Sequence, residues 1–232
     1  MIAIKNLGKL YNKKIVLNIS ELFINNSEII GFVGNNGAGK TTLFRLVLDL
    51  IKADKGEVQS GEKNVAKTEA WKDYTGSYLD EGFLIDFLTA EEFFYFIGNI
   101  YGLCKQEVDE KLTGYKVFFS DELLGQRKKY IRDFSKGNKQ KIGVVSALIT
   151  DPKVLVLDEP FNGLDPTSQI LLKRILIDFN KRTNATILIS SHDLNHVTDI
   201  CQRIVLLEKG HIIRDIKNNY TSLAELNEYF SV

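Results

Sequence analysis

A stretch of eight residues has the types and spacing that phosphate binding needs. Residues 34–41 read Gly-Asn-Asn-Gly-Ala-Gly-Lys-Thr and match the pattern G-x-x-x-x-G-K-[ST]. Glycines let a backbone approach an anion closely, and a helix that begins at the end of the loop directs free N–H groups and its positive dipole end at that anion. We expect Lys40 to reach the β- and γ-phosphates of a nucleotide and the Thr41 hydroxyl to bind Mg²⁺.

The residues on either side of this loop favour a nucleotide site. Residues 28–33 read as a short buried strand and residues 41–48 as the start of a helix, which is the arrangement that phosphate binding requires. The alternative is a surface turn that matches the pattern by chance. The predicted nucleotide ligands are Gly34, Asn35, Asn36, Gly37, Ala38, Gly39, Lys40, Thr41 and Thr42.

Two neighbouring carboxylates follow an apolar run later in the chain. Residues 154–157 are Val-Leu-Val-Leu, a pattern typical of a parallel strand buried on both faces, and Asp158 and Glu159 come directly after it. Because side chains alternate along a strand, Asp158 is expected to face Mg²⁺ while Glu159 reaches the attacking water. The plainer alternative is a strand that ends in two solvated acids, and the phosphate loop favours the catalytic interpretation.

The composition excludes several classes of protein. The chain has 232 residues, of which 44% are hydrophobic and 26% charged, and this suits one globular domain or one with an inserted subdomain. Thirty basic and thirty acidic residues cancel, so no overall field favours nucleic acid or anionic lipid. Cys104 and Cys201 predict buried or bystander thiols in a reducing cytosol. The most apolar segment, residues 93–101, is too short to span a bilayer, so we expect a soluble protein.

The predicted elements alternate between strands and helices at both ends of the chain. A helix is expected from the phosphate loop to about Ile51, followed by a turn at residues 54–56. Later helices are predicted at residues 139–147, after Asp165 as N-cap, and in a short terminal segment capped by Ser222. Strands are expected at residues 3–7, 15–19, 29–33, 154–157, 186–189, 204–207 and 211–213.

Further motifs occur in order along the chain, and together they resemble a known family. Residues 134–138 read Phe-Ser-Lys-Gly-Asn and residues 189–193 read Ile-Ser-Ser-His-Asp. Residues 158–160 are Asp-Glu-Pro, and residues 162–166 are Asn-Gly-Leu-Asp-Pro. With Tyr11 and the phosphate loop, they resemble the motifs of the ATP-binding subunits of ABC transporters. The resemblance covers nearly the whole chain.

The resemblance implies a fold and a division of the chain. The expected fold is α/β, with a P-loop NTPase core built on a mixed or parallel sheet, an N-terminal antiparallel β subdomain and an inserted α-helical subdomain. We expect a single domain over residues 1–232. Residues 1–79 and 151–232 would form the ATP-binding core. Residues from about 80 to 150 would form the helical subdomain that carries the signature motif, since residues 134–138 stand where the family has its L-S-G-G-Q signature.

The same resemblance implies roles for residues outside the phosphate loop. Tyr11 would stack on adenine, whereas a tyrosine in a turn is otherwise a half-buried aromatic. His192 would sense the γ-phosphate through a hydrogen bond, the alternative being a capping or core histidine. His192 and His196 are four residues apart, but H-D-L-N-H does not match the zinc pattern H-E-x-x-H. The residues expected to meet nucleotide from the signature and the following loop are Ser135, Gly137, Asn138 and Asp165; the alternative for Ser135 is a simple helix cap.

Two departures from the family pattern change what is expected. Lys136 and Asn138 stand where the signature has a glycine and a glutamine, and the resulting form resembles the branch whose partners are ABC-2-type exporters. Glu81 stands where most members have the Q-loop glutamine. We expect its carboxylate to bind Mg²⁺ or water, so the predicted metal ligands are Thr41, Asp158 and Glu81.

The resemblance implies ATP hydrolysis that powers substrate transport, and the form of the signature implies export, with ATP and Mg²⁺ as cofactors. Glu159, His192 and Lys40 would be the catalytic residues, in a head-to-tail dimer of two such subunits. A separate polytopic membrane permease would hold the dimer at the inner face of the cell membrane. Phe83 and Phe87 of this chain would line a groove that grips the permease, the alternative being that they pack in the core.

Two other functions remain open from the sequence. One is a soluble ABC ATPase that acts in assembly or regulation without a membrane channel. The other is a nucleotide sensor without turnover, which the intact catalytic set disfavours. Nucleic acid is not an expected partner, because the basic residues at 127–129 and 136–141 are interpreted as a solvated face.

Overall fold

The computed structural model describes residues 1–119, 123–125 and 129–230. Two sheets and a set of helices make up this part of the chain. The strands are β1 (Ile2–Tyr11), β2 (Lys14–Ile24), β3 (Ile29–Val33), β4 (Lys55–Ser60), β5 (Lys63–Asn64), β6 (Thr75–Tyr78), β7 (Val154–Leu157), β8 (Thr186–Ser191), β9 (Arg203–Glu208) and β10 (His211–Lys217). The helices are α1 (Lys40–Val47), α2 (Ala90–Ile100), α3 (Lys105–Thr113), α4 (Lys116–Phe119), α5 (Lys136–Leu148), α6 (Pro166–Thr183), α7 (Leu194–Ile200) and α8 (Ser222–Phe230).

The first sheet is antiparallel and is built mainly from the N-terminal part of the chain. Its strand order is β2-β1-β4-β5. Alternate residues of β1 and β2 point into the core, among them Ile2, Ile4 and Leu17. The predicted antiparallel subdomain is therefore confirmed.

The second sheet is mixed and holds the strands that carry the motifs. Its order is β10-β9-β3-β8-β7-β6, and every neighbouring pair except β9 with β10 is parallel. Strands β3, β7 and β8 are buried along their whole length, which explains their continuous apolar sequence. Lys209 and Gly210, both with positive φ, form the two-residue turn between β9 and β10. The carboxyl ends of β3, β7 and β8 thus meet at one edge, where the motif residues follow them.

Two hydrophobic cores lie on opposite faces of the mixed sheet. Helix α1 packs between the two sheets, where the ring of Phe44 meets the ring of Phe32 edge-on at 5.4 Å. The other face is covered by a continuous cluster that joins residues of β7 and β8 to α2, α5 and α6. In the ranges described, no helix is long and apolar enough to span a membrane. The division near residues 80 and 150 stays a prediction.

Several predicted boundaries were wrong. Helix α1 ends at Val47 rather than near Ile51, and Lys55 and Gly56 begin β4 instead of forming a turn. Helix α5 begins at Lys136, one turn before the predicted start. Ser222 is the first residue of α8 rather than its cap. Strand β6 was not predicted, because its four residues include a glycine and a serine and give no apolar run.

Candidate functional site

The phosphate loop connects β3 to α1 and needs glycine at two positions in particular. A Cβ on Gly34 would lie 2.3 Å from the carbonyl oxygen of Leu207, so any side chain there would push β3 and β9 apart. Gly39 has φ +109° and precedes the first residue of α1, a conformation that favours glycine. The loop backbone is therefore fixed against the sheet, and the open end of α1 points its free N–H groups into the loop.

Lys40 lies at the centre of the site. Its side chain is buried, and Nζ donates a hydrogen bond to the carbonyl oxygen of Gly34 at 2.7 Å. Nζ also lies 3.5 Å from Oε1 of Glu159, so the ammonium has one charged partner in the site. There is no acidic residue in the first turn of α1, and Lys40 therefore supplies positive charge at the same place as the helix dipole.

Asp158 follows β7 and is buried beside the phosphate loop. Its carboxylate accepts hydrogen bonds from the hydroxyls of Thr41 and Ser190. Burial raises the pKa of Asp158, while these two hydrogen bonds act in the opposite direction. The sequence predicted that Asp158 and Thr41 meet, and the structure brings them together. Their hard oxygen atoms are of the kind that Mg²⁺ prefers.

Glu159 has a backbone conformation that is uncommon for its residue type. Its φ is +47°. The backbone N–H donates to Oγ of Ser190 at 2.9 Å, and the carbonyl oxygen accepts from Nε2 of Gln140 at 3.2 Å. These bonds from β8 and α5 hold the residue in the left-handed region, and the carboxylate is thereby turned towards Lys40 and His192.

His192 comes directly after β8 and lies against Glu159. Nδ1 of the ring is 2.8 Å from Oε2 of Glu159, and the backbone N–H of His192 donates to the same oxygen at 3.3 Å. The contact of Glu159 with His192, which the sequence did not predict, therefore occurs within one chain. A hydrogen bond to a carboxylate fixes the orientation of the imidazole and leaves Nε2 as its other polar atom.

Two residues that position the site were not predicted from the sequence. Ser190 contacts both Asp158 and Glu159, and Gln140 holds the Glu159 carbonyl oxygen. Ser190 precedes His192 by two residues on a strand that is the parallel neighbour of β7. That position was the signal that could have identified it. Gln140 gives no comparable signal, because its role depends on how α5 packs.

The signature residues lie at the start of α5 and contact the loop before α6. Ser135 is the N-cap of α5 and accepts a hydrogen bond from the Asn138 N–H at 3.3 Å. A Cβ on Gly137 would lie 2.7 Å from the carbonyl oxygen of Gly163, so this glycine allows close packing. Asp165 caps α6 through Ser168. The hydrogen bonds of Ser135 and Asp165 are thus made at their own helix ends.

Tyr11 and Glu81 have charged partners other than Lys40, Glu159 and His192. Tyr11 ends β1, is 45% exposed, and has the Lys9 ammonium 5.4 Å from its ring centroid. Glu81 begins a short 3₁₀ turn after β6, and Oε2 lies 3.7 Å from Nζ of Lys139 on α5. Among the residues described, no three His, Cys, Asp or Glu side chains gather as a metal cluster. The metal role of Glu81 and the adenine role of Tyr11 stay predictions.

Comparison with known proteins identifies the family. The model of the family described as "ABC transporter" matches residues 17–162, and the chain belongs to that family. It is 32% identical over 206 residues to the ABC transporter ATP-binding protein NatA of Bacillus subtilis. The matched residues cover 87% of this chain and 82% of that protein. It is 33% identical over 224 residues to the bacitracin transport ATP-binding protein BcrA of Bacillus licheniformis, covering 93% of this chain and 69% of that protein.

The match to longer relatives is partial. An uncharacterized ABC transporter ATP-binding protein of Synechocystis is 35% identical over 190 residues, which are 82% of this chain but 53% of that protein. The chain therefore spans about half the length of this relative.

Solved structures agree on the fold. A structure of the ATP-binding subunit of an ABC transporter superposes with a TM-score of 0.85 and 26% identity, covering 100% of this chain and 93% of the other. A dimeric ATP-binding cassette in a post-hydrolysis state with ADP and Pi gives a TM-score of 0.82 at 22% identity, covering 94% and 99%, and shows the fold alone. The chain is an ATP-binding subunit of the ABC transporter type, and the predicted fold class and family are confirmed.

Proposed function

We propose that this subunit works as a dimer that closes on two ATP molecules and powers export through a separate membrane permease. The observation that carries the proposal is the cluster of Lys40, Glu159 and His192 at one sheet edge, with exposed Ser135 at the start of a different element. Each chain would offer a catalytic half-site and, on α5, a second phosphate-binding surface for another copy.

The roles of the catalytic side chains follow from their contacts. Nζ of Lys40 lies 3.5 Å from Oε1 of Glu159. A γ-phosphate that binds the ammonium would replace the carboxylate as its partner, and the carboxylate could then contact the attacking water. Glu159 would then orient the water and accept its proton, in line with the phosphorus atom. His192 would hold Glu159 through Nδ1 and contact the γ-phosphate through Nε2. Loss of the phosphate would therefore remove a contact of the residue that follows β8.

Mg²⁺ fits the oxygen atoms of Thr41 and Asp158, which already share a hydrogen bond. When bound, the ion would neutralise charge that develops on the β- and γ-phosphates. Thr41 and Asp158 would bind the ion directly, and phosphate and water would occupy other positions around it. The Glu81 carboxylate, which pairs with Lys139, would bind the ion or one of those waters.

The start of α5 has the properties of an anion-binding surface. Ser135 is exposed, and the first turn of α5 contains no acidic residue. A hydroxyl, free N–H groups and the helix dipole would therefore point at the γ-phosphate held by the other subunit. Gly137 and Asn138 would add the close approach and a side-chain amide, and Asp165 would hold the following loop. Tyr11 would stack on the adenine of its own nucleotide.

Exposed aromatics suggest where a permease would bind. Phe83 is 48% and Phe87 68% exposed, and both lie in the segment that joins β6 to α2. An apolar surface at this position would suit a short helix of a membrane subunit. Export is supported by the signature form and by the bacitracin transport function in the name of BcrA. The dimer would then sit at the inner face of the cell membrane.

The dimer is tested with a variant that binds ATP without hydrolysing it. Glu159→Gln keeps the size of the side chain and one oxygen that can accept from His192, but it removes the proton acceptor, so ATP should accumulate in a closed dimer. We expect the mass by light scattering to double with Mg²⁺ and ATP and to return to that of a monomer with ADP. Turnover near the wild-type rate would remove Glu159 as the base, and a monomer under all conditions would contradict the dimer.

A further inference from the structure

A second histidine near the site is partly buried and lacks a full set of hydrogen-bond partners. His196 lies on α7, one turn after His192, and its side chain is 13% exposed. Its Nδ1 is buried and has no hydrogen-bond partner among the residues described. Leaving a buried polar atom unpaired costs free energy, so the ring must be held there by other contacts.

The main contact of the His196 ring is with Phe161. The two ring centroids are 4.5 Å apart and the ring planes meet at 33°. Phe161 is buried and comes two residues after Glu159 in the chain. The ammonium of Lys173 on α6 lies 6.0 Å from the Phe161 centroid and is itself paired with Asp199 on α7 at 2.6 Å. Phe161 is thus fixed by both α6 and α7.

Two contacts therefore join the segment that follows β7 to the segment that follows β8. The first is the 2.8 Å contact of Glu159 with His192, and the second is the stack of Phe161 with His196. His192 comes directly before Asp193, the N-cap of α7, and His196 is the third residue of that helix. The stack thus holds the start of α7, to which His192 is joined through Asp193, and it restrains the angle at which His192 meets the carboxylate.

We propose that His196 is a positioning residue for ATP hydrolysis, which acts through Phe161 to hold His192 against Glu159. The inference rests on the proposed catalytic roles of Glu159 and His192. His196 does not touch the nucleotide in this account. Its loss lets α7 tilt, so the carboxylate and imidazole meet less often in the productive geometry, and small errors of position slow a reaction strongly.

The charges around His196 favour a neutral ring. Asp193 is the nearest charged group, with Oδ2 3.6 Å from Nε2, and Lys173, Asp199 and His192 also face the ring. Burial lowers the pKa of His196 below its usual value of 6.5, against the opposing effect of Asp193. The contribution of the neutral ring to stability is therefore full above pH 6.5 and is lost as the pH falls through the folded-state pKa, which lies below that value, because burial disfavours the charged form.

The test compares two substitutions in the full-length chain. His196→Ala should lower kcat by about tenfold and leave the KM for ATP within about twofold, because binding contacts are untouched. His196→Phe keeps the stack and cannot titrate, so it should retain most of kcat and lose less activity than wild type when the pH drops from 7.5 to about 5.5. His211→Ala, at an exposed histidine of β10, is the matched control and should match wild type.

Three experimental outcomes would each overturn the inference about His196. If His196→Ala keeps the wild-type kcat, the inference is overturned. The same follows if folded His196→Phe is as slow as His196→Ala, or if its activity falls with pH just as wild type does. If circular dichroism shows that His196→Ala does not fold, the pH dependence of ATP hydrolysis by His196→Phe tests the inference without it. Glu159→Gln is measured in the same assay, because its normal turnover would overturn the proposed function rather than this inference.

Discussion

Nδ1 of His192 lies 2.8 Å from Oε2 of Glu159, and this contact links the ends of two neighbouring parallel strands. Oε1 of the same carboxylate lies 3.5 Å from the Lys40 ammonium. One side chain thus connects the phosphate loop, the end of β7 and the end of β8. A phosphate that binds Lys40 would change the partners of Glu159, and that change would be transmitted directly to His192.

Lys40→Ala should abolish ATP binding or hydrolysis. The substitution removes the ammonium that Gly34 and Glu159 hold in the loop, and it leaves the carboxylate without its positive partner. Equilibrium binding of ATP and steady-state phosphate release measure the effect. Lys67→Ala, at an exposed lysine, should behave as wild type. Unchanged ATP turnover in Lys40→Ala would refute the assignment of the phosphate loop.

Asp158→Asn should stabilise the nucleotide-free protein at neutral pH while it abolishes hydrolysis. Burial raises the pKa of Asp158 above 3.8, so the folded state holds this proton more tightly than the unfolded state. The contribution of Asp158 to stability is full below pH 3.8 and is lost as the pH rises through the folded-state pKa. Asparagine removes this cost of burying a charge.

The effect of Asp158→Asn is measured as a Tm by calorimetry without nucleotide. We expect a gain of a few degrees at pH 7.5, since ~1 kcal/mol shifts the Tm of a domain of this size by about 2–4 °C. The gain should shrink as the pH approaches 4. Asp86→Asn, at an exposed site, should show little change. A lower Tm for Asp158→Asn at neutral pH would mean that the hydrogen bonds of the charged carboxylate outweigh its desolvation.

Glu81→Ala distinguishes a metal role from an ion-pair role. Both Glu81→Ala and Lys139→Ala remove the 3.7 Å pair, but only the first removes a carboxylate that could serve Mg²⁺. We expect Glu81→Ala to raise the Mg²⁺ concentration needed for half-maximal ATP hydrolysis several-fold, and Lys139→Ala to leave it unchanged. Equal Mg²⁺ dependence in the two variants would show that Glu81 acts only through Lys139.

The order of motifs could be read from the sequence because each motif has its own local signal. Continuous apolar runs identify β7 and β8, and the glycines of residues 34–41 identify the turn into α1. Parallel pairing then requires Asp158, Glu159 and His192 to follow neighbouring strands at one edge. These residues therefore lie close together because of the strand topology, and the topology was expected from the resemblance to a family.

Other features depend on packing and have no local signal. Strand β6 is held by pairing with β7 and by the Tyr78 ring against Gly143, and its own residues do not favour a strand. The positive φ of Glu159 results from hydrogen bonds made by Ser190 and Gln140 on other elements. The stack of Phe161 on His196 likewise joins residues that are far apart in sequence.

The most direct test of the account asks whether two chains share one site. Lys40→Ala damages the catalytic half-site, and Ser135→Arg blocks the exposed start of α5 that would serve the other chain. Each variant alone should be inactive in ATP hydrolysis. An equimolar mixture should recover activity, because a mixed dimer contains one site made of an intact phosphate loop and an intact Ser135. Phosphate release that stays at the background of the separate variants, or full activity of Ser135→Arg alone, would contradict the shared site.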